Sequence, residues 1–108
     1  MSEFLYLYRG GKRPESPAAA QAEMQRWMDW MKGLGAAIKS PGQPLERTGK
    51  LVSGKSKTVT DGPFVEKDMV GGYTLVEAND IAHAAELAKG CPIFEHGGQV
   101  EVRPVTKM

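Results

Sequence analysis

The spacing of apolar residues changes several times along the chain, and each change predicts an element. Glu3 to Tyr8 is short and dense in aromatic and aliphatic residues. Phe4, Tyr6 and Tyr8 fall on one face and Leu5 and Leu7 on the other, a strand with two apolar faces. Gly10-Gly11-Lys12-Arg13 is a polar loop. Ser16-Pro17 opens a helix, with Ser16 as N-cap and Pro17 at its first position. Ala20, Met24, Trp27, Met28 and Met31 recur at three- and four-residue spacing, predicting a core-facing stripe with Trp30 at its edge. Gly33 and Gly35 end this helix, and Pro41 and Pro44 rule out its continuation.

Residues 36 to 60 predict short strands joined by turns, with Ser53-Gly54-Lys55 as a hairpin tip and Lys57 to Thr60 as a strand. Tyr73 to Glu77 is a further strand. Asp80 caps a second helix with apolar positions Ile81, Ala84, Ala85, Leu87 and Ala88, which Gly90 and Pro92 stop. Gln99 to Val105 is the last strand, with Val100 and Val102 opposite Glu101 and Arg103. The resulting order predicts an α+β, ferredoxin-like sheet with two helices on one face and an extra hairpin. One apolar sheet face then stays uncovered, which predicts a homodimer that buries two such faces against each other.

Composition narrows the function without naming it. The 108 residues suit one domain, residues 1–108, and the 41% apolar and 25% charged content is that of a soluble globular protein. A net charge of +1 gives no hint of the concentrated basic face that phosphate binding needs, so no direct nucleic-acid partner is expected. The strand at Gly72 to Val76 lacks the paired aromatics of an RNA-stacking platform. Cys91 alone cannot form an internal disulfide and fits a reducing, cytoplasmic setting. No apolar run reaches membrane-spanning length, and the N-terminus lacks a signal-peptide layout, so no membrane partner is expected.

Gly49 to Ser56 matches the phosphate-binding pattern G-x-x-x-x-G-K-S letter for letter. That chemistry requires a helix to start at the Lys-Ser. Here a β-branched run and Gly62-Pro63 follow instead, so the match is accidental. His83, His96, Cys91 and Glu95 fit no metal-ligand spacing, and neither a metal nor another cofactor is expected.

The sharpest local feature is Asp61-Gly62-Pro63-Phe64, followed by Val65-Glu66 and Gly71-Gly72-Tyr73. Gly-Pro makes a rigid corner that can fix a carboxylate at a strand end. Asp61 is therefore a candidate general base, with a loop-shaping turn as its plain structural role. His96 is the candidate proton-transfer partner. Glu101 and Arg103 are candidate cavity-lining contacts for an anionic ligand, or else an ion pair, and Phe64 is a candidate contact beside the corner.

Val59 to Glu66 and Gly71-Gly72-Tyr73 resemble the YCII-related family, in the branch named for the DGPF motif. Glu77-Ala78, Cys91-Pro92 and the run from Gly98 to Val105 strengthen the resemblance. It implies a dimeric α+β barrel with a pocket between the sheet and the long loops, and a His-Asp pair suggested for acid-base chemistry. It implies no established substrate, and for some members an association with sigma factors. The first helix here contains no histidine, so a pair drawing on that helix is unavailable. The expectation is a homodimer that binds a small polar or anionic metabolite, with a non-catalytic regulatory module as the alternative.

Overall fold

A computed structural model describes residues 1–61 and 69–108. The strands are β1 (Ser2–Arg9), β2 (Ile38–Ser40), β3 (Lys50–Ser53), β4 (Thr58–Asp61), β5 (Val70–Ala78) and β6 (Gln99–Pro104). The helices are α1 (Pro17–Leu34) and α2 (Ile81–Ala88), and a short 3-10 turn, Pro92–His96, precedes β6. One antiparallel sheet has the order β2-β5-β1-β6, and β3 and β4 form a separate hairpin. This is the expected ferredoxin-like arrangement with an added hairpin.

The aromatic face of β1 carries the helices. Tyr6 is fully buried, its hydroxyl donates to the carbonyl of Ala84 in α2, and its ring stacks on Trp30 of α1 at 6.2 Å. Both helices therefore share one sheet face, and their packing closes the core around Phe4, Tyr6, Val76, Ala78, Ala84 and Ala88. Leu5 and Leu7 lie on the opposite, open face, in register with Leu75 and Tyr73.

Both helix starts follow the side-chain chemistry. Ser16 Oγ accepts from Ala19 N at 3.1 Å, and Asp80 Oδ1 accepts from His83 N at 2.8 Å. His83 Nδ1 accepts in turn from Asn79 N at 3.0 Å, which makes it a helix-start residue. In α2, Ala84 and Ala88 are buried, whereas Ile81 and Ala85 are exposed and outside the predicted apolar stripe. Cys91 is a small buried core residue, and burial pushes its thiol up to about 12.

The phosphate-loop look-alike is the hairpin. Lys50 to Ser53 and Thr58 to Asp61 pair across a turn with Gly54 and Lys57 at positive φ. Strand β4 follows Lys55-Ser56, where a phosphate loop needs a helix. All eight hairpin residues are exposed. The radius of gyration is 15.3 Å, against about 13 Å for a compact chain of this length, and the shape is flat, 44 × 43 × 19 Å. Among the described residues, no helix is long and apolar enough to cross a membrane.

Candidate functional site

The Met stripe of α1 departs from its expected role. No α1 residue is buried, and Met24 and Met28 are 64% and 59% exposed. They line a cavity of about 810 Å³ instead, together with Met31 and Trp27. The reason is local: Trp27 and Trp30 pack on Tyr8 and Tyr6 and prop α1 on the sheet through large rings. The flanking methionines on the same helical phase then face open space rather than a strand.

The floor and far wall are tied together by hydrogen bonds. Tyr8 Oη donates to Thr74 Oγ1 at 2.7 Å, and Thr74 Oγ1 donates to Pro41 O at 2.9 Å. The segment from Pro41 to Arg47 runs along the edge of β5, through Leu45 N to Gly71 O and Tyr73 N to Gln43 O. Two glycines permit this approach. Gly42 sits at φ +69, where an added Cβ would lie 1.8 Å from Tyr73 O. At Gly72 a Cβ would meet Gln43 O at 3.2 Å, closer than ordinary contact. Gly42 and Gly72 thus let this segment lie against β5 and wall the cavity.

His96 enters the cavity from the opposite side, at the end of the 3-10 turn. Gly97 at φ +76 terminates that turn, Lys12 N donates to His96 O at 3.0 Å, and Arg26 pairs with Glu95 at 3.6 Å. These contacts hold the turn against α1. His96 Nε2 then lies 3.2 Å from Glu23 Oε2, with Glu23 only 15% exposed. The approach is close but out of line for a hydrogen bond, and this buried nitrogen has no hydrogen-bond partner among the described residues. Glu23 Oε1 accepts from Trp27 Nε1 at 3.4 Å, one helical turn along. In proton-transfer sites generally, hydrogen bonds are often long or poorly aligned before a ligand binds.

The residues singled out from sequence are distributed differently. Asp61 is at the exposed end of β4, 74% exposed and paired with Lys50, and it is not among the cavity-lining residues. The carboxylate beside His96 is Glu23, which replaces the expected Asp61–His96 pair. Glu101 and Arg103 lie on the open sheet face, away from the cavity. Glu101 bridges Arg9 at 2.7 Å and Arg103 at 3.1 Å, and these cations hold its carboxyl below the usual range. The ion-pair alternative is what forms there, because β6 residues two apart project to one side. Phe64, with the rest of Gly62 to Asp68, lies outside the described residues.

Glu23 escaped sequence reasoning because its position falls inside an apolar stripe taken as core. The available signal was a single carboxylate in phase with Ala20, Met24 and Trp27, where a wholly buried stripe would tolerate none.

The YCII-related domain matches residues 4–108, nearly the whole chain. The chain belongs to the YCII-related family. A solved structure in this comparison is 5-chloro-2-hydroxyhydroquinone dehydrochlorinase from Burkholderia phenoliruptrix AC1100, in complex with 2,5-dihydroxybenzoquinone. It aligns over 98% of this chain and 95% of its own, at a TM-score of 0.57 and 21% identity. At that identity the likeness is one of fold. No curated protein matches the chain. The cavity between α1, the 3-10 turn and the Pro41 to Arg47 segment is a concave site on this fold.

Proposed function

We propose that this protein binds a small organic ligand in the α1 cavity and moves a proton to or from it at His96, with Glu23 steadying the ring. The observation that supports this most directly is the buried, unsatisfied His96 Nε2 beside the Glu23 carboxylate. With its Nε2–H turned to Glu23, a neutral imidazole can accept a proton from the ligand at Nδ1. The resulting imidazolium gains a carboxylate at 3.2 Å, which stabilises the charge as it forms. A cavity of about 810 Å³ falls within the range of small-molecule sites. The YCII-fold dehydrochlorinase, bound to a small quinone, is compatible with a ligand of that scale.

The test is a thermal-shift screen of small organic acids, phenols and neutral ring compounds, followed by titration of Trp27 fluorescence with the hits. Trp27 lines the cavity, so a true ligand should change its emission, and the Trp27→Phe variant should lose that response. Hits that stabilise the protein without affecting Trp27 would place binding elsewhere and defeat the proposal.

We further propose that two copies associate through the open sheet face. Leu5, Leu7, Tyr73 and Leu75 form one apolar strip there, flanked by the Arg9–Glu101 and Lys39–Glu77 ion pairs. Apolar strips with polar rims mark association surfaces. Light scattering should return twice the 11.7 kDa chain mass. A single-chain mass at micromolar concentration would remove the dimer and leave the cavity proposal standing.

A further inference from the structure

We propose that the β3–β4 hairpin is an arm that each copy lays on a second copy of this chain, completing an interface that the open sheet faces begin. This inference rests on the association of two copies through those faces. The hairpin itself is well built. Val52 stands opposite Val59 and Lys50 opposite Asp61, across a turn in which Lys57 N donates to Gly54 O at 3.1 Å. Lys50 and Asp61 also form an ion pair at its root. Yet the ribbon pairs with no other described strand. A two-stranded hairpin alone is marginal in water and needs more strands or a packed layer.

Its side chains carry the same need. Leu51, Val52 and Val59 are each more than half exposed. Val52 and Val59 face each other across the ribbon, and the Lys50–Asp61 pair lies two residues along on the same face. An aliphatic centre with a charged rim is the make-up of an association surface. The hairpin also leaves the body at a sheet edge. Leu45 N donates to Gly71 O at 2.8 Å before it, and the chain returns into β5 at Val70 after it. It therefore springs from the rim of the sheet rather than from either face, and the molecule is correspondingly flat, 44 × 43 × 19 Å. An arm rooted there can pass its own rim and reach a copy packed on the open face.

Area points to a second copy as the occupant. Four strands at ~4.8 Å spacing and a common length of roughly 20 Å give the open face a footprint of roughly 400 Å². A stable interface takes about 800 Å² from each partner. Leu5, Leu7 and Leu75 are already half-covered by their neighbours, so the face yields less than its footprint. In a two-fold pair each copy gives one arm and receives one, so the arm counts twice towards the missing area.

The experiment measures hydrogen exchange in the hairpin of the full chain, with mass from light scattering. Leu5→Lys, with unchanged far-ultraviolet circular dichroism, should halve the mass by breaking the sheet contact while leaving the arm's own sequence intact. The amides of residues 51–60 should then exchange at least tenfold faster than in the wild-type dimer. Val52→Lys combined with Val59→Lys should weaken dimerisation at least tenfold. If the hairpin exchanges equally fast in the dimer and in Leu5→Lys, or if the double variant dimerises as tightly as wild type, the arm is wrong and the sheet-face dimer stands. A double variant that shifts ligand affinity at Trp27 but not the mass assigns the arm to its own cavity and likewise overturns the inference. If the wild type has a single-chain mass, or Leu5→Lys leaves the dimer unchanged, the sheet-face reading fails, and this inference with it.

Discussion

Tyr6→Ala is expected to destabilise the fold by about 3–5 kcal/mol, measured as a shift in the urea midpoint at constant slope. The residue has no exposed surface. Its ring bridges the two helices through one face of the sheet, stacking on Trp30 and donating to Ala84 O. Truncation leaves a cavity where β1, α1 and α2 meet, and no neighbouring element can collapse into it without dislodging a helix. Tyr6→Phe keeps the ring and should cost only about 1 kcal/mol, the net worth of one hydrogen bond. A chain of this size has roughly 5–15 kcal/mol in total, so the Ala variant should unfold far more readily. A loss under about 1.5 kcal/mol would mean that the helices are held by something other than this ring.

The same burial sets an alkaline limit. Desolvation pushes the Tyr6 phenol from 10.0 to about 12, so the folded chain holds its proton more tightly than the unfolded chain. The stability linked to that proton is fully present below pH about 10. It is lost as pH rises towards 12, with the unfolded state releasing the proton first. Burial also raises the Tyr8 phenol, so both aromatics act in the same direction.

The second large effect concerns proton transfer. With a ligand identified by the Trp27 response, exchange of its acidic hydrogen with solvent can be followed by proton NMR in D2O. His96→Gln should slow that exchange by about 10²–10⁴-fold, the usual contribution of a positioned acid or base. Glu23→Gln should slow it by a smaller factor, with ligand affinity changed only a few-fold, because the amide keeps the shape but not the charge beside the imidazole. Asp61→Asn is the decisive comparison. Its carboxylate is exposed and paired with Lys50, so exchange should stay within about twofold of wild type. If Asp61→Asn abolishes exchange while Glu23→Gln leaves it intact, the Glu23–His96 assignment is wrong and the corner carboxylate is the acting group.

Much of the fold was legible because its signals are local. The Ser16-Pro17 and Asp80 helix starts, the Gly90 stop and the Ser53-Gly54-Lys55 tip each depend on the chemistry of a few neighbouring residues. The alternation in β1 showed two apolar faces, and the structure settled which one the helices cover. The site was less legible. A helical stripe of methionines looks the same in sequence whether it meets a strand or an open cavity. The outcome depends on how far Trp27 and Trp30 hold α1 from the sheet. Asp61 was the one carboxylate singled out beside His96, and Glu23 was not considered. The Asp61-Gly62-Pro63 corner is conspicuous in one dimension, whereas Glu23 becomes notable only when the turn before β6 folds back against α1.

By itself, the sequence determined the elements, their order and hence the ferredoxin-like pattern, since hydrophobic period and capping chemistry act over a few residues. It also determined the family, through the residues around the Asp61 corner and Gly71-Gly72-Tyr73. Only the tertiary structure decided which carboxylate stands beside His96, where the methionine stripe faces and which sheet face remains open. Those are contacts between residues far apart in the chain. Their distances are set by the thickness of packed rings and the order of strands, quantities that no short stretch of sequence carries.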